Sequence, residues 1–132
     1  MTWHEVYQAA LAVVRPRQLS PWADCGGVGA ALVTDTGAVY TGVCVDTSCS
    51  MGFCAEHAAA AAMLTAGEQR VMMMVAVGSD GEILPPCGRC REFVSQLHRD
   101  NGQTEVLLPG RRVATLATLL PNDWKQLGTA AD

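Results

Sequence analysis

FCAEHAAAAAMLTAGEQRVMMMVAVG, residues 53–78, is the stretch whose reading decides the fold. From Ala55 it is a run of strong helix formers that ends at Gly67, a residue suited to the left-handed cap of a helix. VMMMVAVG at 71–78 is short and apolar, follows that helix and runs into the turn residues Gly78 to Gly81, so it reads as a buried strand. The Met72 to Met74 run is therefore strand core rather than a soft-ligand site. Upstream, VGAALVTD (28–35) and AVYTGVCV (38–45) flank the turn signal Thr36-Gly37 and predict a β-hairpin. Residues 2–14 place Trp3, Val6, Tyr7, Ala10, Leu11 and Val14 at helical intervals until Pro16 stops the run, and Arg15 to Gly27 reads as a loop.

Downstream, ILPP at 83–86 leads into CGRCREFVSQLHRD at 87–100, a third helix opening at Cys87 and closed by Asn101-Gly102, with Phe93, Val94 and Leu97 on one face. TEVLLP (104–109) is a strand, RRVATL (111–116) is a candidate for one more, and a short helix or turn ends at Leu120. This order predicts one α/β domain over residues 1–132, a mixed sheet with helices packed on its faces.

Composition narrows the function. The chain has 132 residues, 49% of them apolar, and no run approaches the roughly 18 consecutive apolar residues of a membrane span. His4 and Glu5 stand where an export signal would carry positive charge, so the expectation is a soluble, cytoplasmic protein with no membrane partner. Nine basic against thirteen acidic side chains give a net charge of -4, the wrong sign for gripping a polynucleotide backbone. Six cysteines without an export signal fit thiols or metal ligands better than a disulfide framework.

Two short stretches carry chemistry: Cys54-Ala55-Glu56 and Pro86-Cys87-Gly88-Arg89-Cys90, each where a helix begins. Unpaired amides and the macrodipole at a helix start favour thiolates. Two sulfurs from a C-x-x-C turn and a third from a neighbouring helix can converge on one zinc ion, leaving the fourth tetrahedral position for water. Zinc lowers the pKa of such a water toward neutrality. Glu56, two residues past its cysteine, can reach the site without ligating and suits a proton shuttle. The C-x-x-C alone would equally serve a redox pair or a closed structural zinc site, the latter wanting a fourth ligand from Cys49 or His57. A non-catalytic, zinc-stabilised binding module remains the alternative of another class. Cys25 and Cys49 are otherwise expected to be buried thiols.

CAE at 54–56 and PCGRCRE at 86–92, supported by VGAAL (28–32), TGV (41–43) and LLP (119–121), resemble the cytidine deaminase superfamily, in particular its small subfamily with three cysteine ligands. The resemblance implies Cys54, Cys87 and Cys90 as zinc ligands and Glu56 as the catalytic acid and base. It further implies a three-layer α-β-α fold with a mixed five-stranded sheet, and a homotetramer whose sites borrow residues from neighbours. The implied reaction converts a cytosine nucleoside, cytidine or deoxycytidine, to its uracil form and ammonia.

Where these enzymes carry an Asn-x-Glu pair for the ribose hydroxyls, this chain has Cys44-Val45-Asp46. Asp46 can accept a hydroxyl hydrogen bond, whereas a thiol donates and accepts weakly. Blasticidin S deaminases form a sister group with the same zinc motifs, acting on a cytosine attached to an unusual sugar. VYTGV, CGRCRE and Trp124 shortly after LLP are similar to that group, so blasticidin S or another modified aminonucleoside is the alternative substrate. By the same resemblance Trp124 reaches the ring in an adjacent subunit, or else is a surface or interface anchor, and Trp22 is placed as a stacking residue or a loop anchor; Phe53, beside the first ligand, lines the same pocket or belongs to the core. His57 stands where an arginine often follows the catalytic glutamate; it either helps Arg91 spread the charge of three thiolates or serves simply as a packing residue.

Overall fold

The structure is a computed structural model that describes residues 1–126. Its elements in chain order are α1 (Trp3–Val13), β1 (Arg17–Ser20), β2 (Ala23–Thr34), β3 (Val39–Thr47), α2 (Ala55–Thr65), β4 (Val71–Gly78), β5 (Ile83–Leu84), α3 (Gly88–Gln96), β6 (Glu105–Leu108) and β7 (Arg112–Thr115), with short 3₁₀ turns between β3 and α2, α3 and β6, and β6 and β7, and after β7. The sheet runs β1-β2-β4-β6-β7, with β3 also paired to β2 and β5 to β4. Among the described residues only β4 and β6 pair in parallel; the other strand pairs are antiparallel, so the sheet is mixed.

The central strands are apolar on both faces, and the period of two sorts them. Ala30 and Leu32 of β2 with Met74 and Ala76 of β4 meet Ala55, Ala59, Ala60 and Met63 of α2 and Val94 of α3. Ala31, Val33, Val75 and Val77 point the other way, onto Val6 and Ala10 of α1. This is the expected three-layer α-β-α arrangement, and burial on both sides explains why β4 reads as a continuous apolar run. Among the described residues no helix is long and apolar enough to cross a membrane.

Among the described residues the sheet has seven strands where five were expected. β1 lies inside the segment read as a loop, and β2 begins at Ala23 instead of Val28. Three of the four residues of β1 are exposed, so this strand is held by backbone pairing and leaves no apolar alternation to read. Gly26 sits at φ 86° where the β2–β3 register shifts between Cys25 and Gly29, and a Cβ there would fall 2.0 Å from the Arg15 carbonyl oxygen. The glycines that suggested a loop thus form a bulge within a strand. The two-residue β5 is too short to leave a pattern. The third helix starts one residue later than expected, with Cys87 as its N-cap, and ends at Gln96. The candidate strand in RRVATL is present as β7.

Two contacts hold the helices where the site needs them. Asn101, fully buried, accepts the Val71 amide at 2.9 Å and donates to the Val94 carbonyl at 2.9 Å, tying the start of β4 to the end of α3. Gly42 lets α2 lie directly on β3, since a Cβ there would come within 2.4 Å of the Ala59 nitrogen. Overpacking of this kind costs about 1–3 kcal/mol. Gly42→Ala is therefore expected to lose stability in that range, read as a lower denaturant midpoint; an unchanged midpoint would show that α2 can lift from the sheet freely.

Candidate active site

Cys54 is the N-cap of α2 and Cys87 the N-cap of α3, and neither side chain makes a capping hydrogen bond. Their sulfurs instead turn toward each other, with Sγ atoms 3.4 Å apart, and Cys90 Sγ lies 3.7 Å from Cys87 Sγ. All three sulfurs fall within 4.8 Å of one another. A tetrahedral zinc with bonds of about 2.3 Å sets its sulfurs about 3.8 Å apart, so the donor set fits this metal by both chemistry and spacing. Among the described residues no fourth His, Cys, Asp or Glu joins the group, which leaves one coordination position for a reactant. Cys49 and His57, the candidates for a closed site, lie outside it. Cys49 is exposed, not buried as expected, because it sits at φ 63° in the Ser48–Ser50 turn that projects between β3 and α2.

The loop ahead of the first ligand is pinned by a backbone bridge, Val45 N–H to the Phe53 carbonyl at 3.0 Å and Phe53 N–H to the Val45 carbonyl at 2.9 Å. This sets Cys54 beside the β3 residues Cys44 and Asp46. A cavity of about 420 Å³ opens there, lined by Cys44, Asp46, Phe53, Cys54, Glu56 and Cys87 together with Val28, Ala76 and Arg89. Its size suits a small-molecule ligand.

Electrostatics at the centre follow from burial. Burial, then the nearby Glu56 carboxylate, pushes the Cys90 thiol well up, and burial raises Cys54. Burial also opposes ionisation of Cys87, but the Cys90 amide at the helix start, the neighbouring sulfurs and the Arg89 amide outweigh it and bring that thiol below its ordinary value. Three thiolates in this space need a cation. Glu56 is only 4% exposed, and burial raises its carboxyl above the usual carboxylate range, which favours holding a proton.

Of the sequence-predicted residues, Cys44, Asp46 and Phe53 reach the cavity. Trp124 does not line it: its ring is 56% exposed against α3, with Nε1 3.2 Å from both Glu92 carboxylate oxygens, and Lys125 is salt-bridged to the same group at 3.0 Å. Trp22, 70% exposed, borders a neighbouring groove with Asp24 and Asp46. Arg91 donates from Nε to the Pro86 carbonyl at 2.8 Å and from Nη1 to the Leu119 carbonyl at 3.3 Å, holding the turn that delivers Cys87. The His57 ring stacks on Phe93 with centroids 4.3 Å apart and lies 5.3 Å from Phe53. Burial and the Arg89 charge lower its pKa, so a protonated imidazole is disfavoured.

Sequence reasoning missed Arg89, which donates to the Gly52 carbonyl at 3.3 Å across the cavity rim. A basic residue in the first turn of a helix opposes the macrodipole, and that anomaly was the available signal.

A mixed sheet between helices, carrying an open three-sulfur metal site beside a buried carboxyl group, defines a zinc-dependent hydrolase. Residues 1–103 match the family model described as the cytidine and deoxycytidylate deaminase zinc-binding region. A cytidine deaminase of Mycobacterium tuberculosis is 37% identical over 97 residues, covering 72% of this chain and 70% of the relative. The crystal structure of cytidine deaminase from Mycobacterium tuberculosis superposes with a TM-score of 0.79 at 28% identity, covering 94% of this chain and 98% of that one. The Burkholderia pseudomallei cytidine deaminase structure gives 0.76 at 32% identity, covering 94% and 100%. The chain belongs to the cytidine and deoxycytidylate deaminase family.

Because folding raises the Glu56 pKa, the ionised carboxylate opposes folding. The metal-stripped chain loses stability as pH rises from the ordinary glutamate range through the raised value. Glu56→Gln removes that loss. The thermal midpoint of the stripped variant should exceed the parent's at neutral pH and converge with it in acid; a variant less stable at neutral pH would contradict the burial argument.

Proposed function

We propose that Glu56 and the three-cysteine centre deaminate the cytosine ring of a nucleoside, cytidine or deoxycytidine, giving the uracil form and ammonia. The observation that carries this reading is the cluster of three sulfurs with no fourth ligand, next to a buried carboxyl group at the end of a ligand-sized cavity. Cys54, Cys87 and Cys90 hold zinc, which supplies when bound a water acidified toward neutrality. Val28, Phe53 and Ala76 offer apolar walls to a flat ring. Glu56 accepts a proton from the attacking water, delivers it to the ring nitrogen beside the amino-bearing carbon, and then assists ammonia in leaving. Its burial keeps bulk water from competing for that proton. Arg91 and His57 act from behind, Arg91 by fixing the Pro86 carbonyl and His57 by packing between Phe53 and Phe93.

Asp46, exposed at the cavity edge, is the acceptor for sugar hydroxyls. Cys44 is a poor second partner because its sulfur already accepts the Val28 amide at 3.3 Å. That observation favours the second reading, a substrate such as blasticidin S with a modified sugar. We further infer a cytoplasmic homotetramer acting in pyrimidine salvage, with Trp124 stacking in a neighbour's site. The exposure of Trp124, Trp22 and Met51 supports an assembly that covers them.

An ammonia-release screen over cytidine, deoxycytidine, cytosine, blasticidin S and purine nucleosides should show turnover of a cytosine nucleoside. Turnover of purines alone would refute the pyrimidine reading. Glu56→Gln should keep zinc and fold yet lose about 10²–10⁴-fold in rate; a variant with full activity, or a parent with bound zinc and no activity on any of these compounds, would favour the non-catalytic module. In gel filtration the parent should elute as four chains, and a mass of one chain would rule out sites shared between subunits.

A further inference from the structure

Within one chain the three sulfurs are unequally shielded: Cys90 is 0% exposed, Cys54 is half-buried and Cys87 is exposed, and the ligand-sized cavity leads to Cys54 and Cys87 but not to Cys90. The two more accessible sulfurs, Cys54 and Cys87, are 3.4 Å apart, closer than Cys87 and Cys90 at 3.7 Å. Each of the two starts a different helix, so a bond between them would join the α2 and α3 N-termini directly. Both are free thiols, and closing their gap to a disulfide needs a shift of about 1.4 Å.

We propose that Cys54 and Cys87 form an oxidation site for hydroperoxides, at which a disulfide between them expels the metal and switches the enzyme off. The inference rests on the zinc reading of the centre. In the first step the Cys87 sulfur attacks the peroxide: an S–O bond forms, the O–O bond breaks, and the departing oxygen leaves as water or an alcohol. In the second, the Cys54 sulfur attacks Cys87, an S–S bond forms, the S–O bond breaks, and hydroxide leaves and is protonated to water. Two thiols lose two electrons in all, and the peroxide gains them. Cys90 alone then remains as a ligand, too few to retain zinc. A thiol reductant reverses the bond and restores the site.

Zinc-loaded protein would be titrated with hydrogen peroxide, with released metal read by a chromogenic chelator and the linkage by non-reducing peptide mapping. Metal-stripped protein would be oxidised in parallel. The expected result is loss of the bound zinc in step with a Cys54–Cys87 linked peptide, with Cys90 still open to alkylation after denaturation. Dithiothreitol with zinc should restore the metal content, and Cys49→Ser should respond as the parent does. A link between Cys87 and Cys90, zinc loss with sulfinic acid and no link, or zinc and thiols intact under excess peroxide would each overturn the proposal. Protein that binds no zinc under reducing conditions would refute the metal reading instead, while the linkage formed in the stripped chain would still decide this one.

Discussion

Two helix N-termini have to face one another across the end of the sheet, close enough for three sulfur atoms to share one point. α2 brings Cys54 and α3 brings Cys87 and Cys90, and the sulfurs meet within 4.8 Å. The surrounding architecture serves that approach. Gly42 allows α2 to touch β3, Asn101 ties α3 to β4, the Val45–Phe53 bridge holds the chain just before Cys54, and Arg91 holds the turn just before Cys87. Neither cap cysteine makes a normal side-chain capping hydrogen bond, so each sulfur stays available to the metal, and the amides at the start of α3 favour the Cys87 thiolate.

The same approach concentrates groups that burial disfavours. A raised Glu56 carboxyl and a raised Cys90 thiol are both unfavourable in their charged forms inside a metal-free protein. A divalent cation reverses this for the sulfurs, and metal binding thereby becomes part of folding stability. Perturbed groups gathered at a cavity are the physical mark of a catalytic site. Here burial favours a protonated carboxyl beside the three sulfurs, while Cys87 is the sulfur left exposed within the single chain.

Much of this was legible in the letters because it depends on local order. Alanine-rich helix formers ending at Gly67 mark α2, the apolar run at 71–78 marks a strand buried on both faces, and cysteines at helix starts mark sulfur ligands. What escaped was whatever lacks a side-chain pattern. β1 is mostly exposed and β5 spans two residues, so both exist through backbone pairing alone. Gly26 looked like a loop residue because a bulge and a turn require the same left-handed backbone. Arg89 was overlooked as the spacer of a C-x-x-C motif, although its charge runs against the dipole of the helix it opens.

The sequence by itself determined the three-cysteine cluster, the neighbouring glutamate, the three helices, the central strands and the family, since these rest on residue type and short spacing. Only the tertiary structure decided that no fourth ligand joins the sulfurs among the described residues, that Cys44 spends its sulfur on the Val28 amide, that Arg91 grips backbone carbonyls, and that Trp124 sits outside its own chain's cavity. The reason is one of range. Spacing along a chain constrains neighbours within a turn or a strand, whereas distances between residues thirty or more positions apart are set by how the sheet and helices pack.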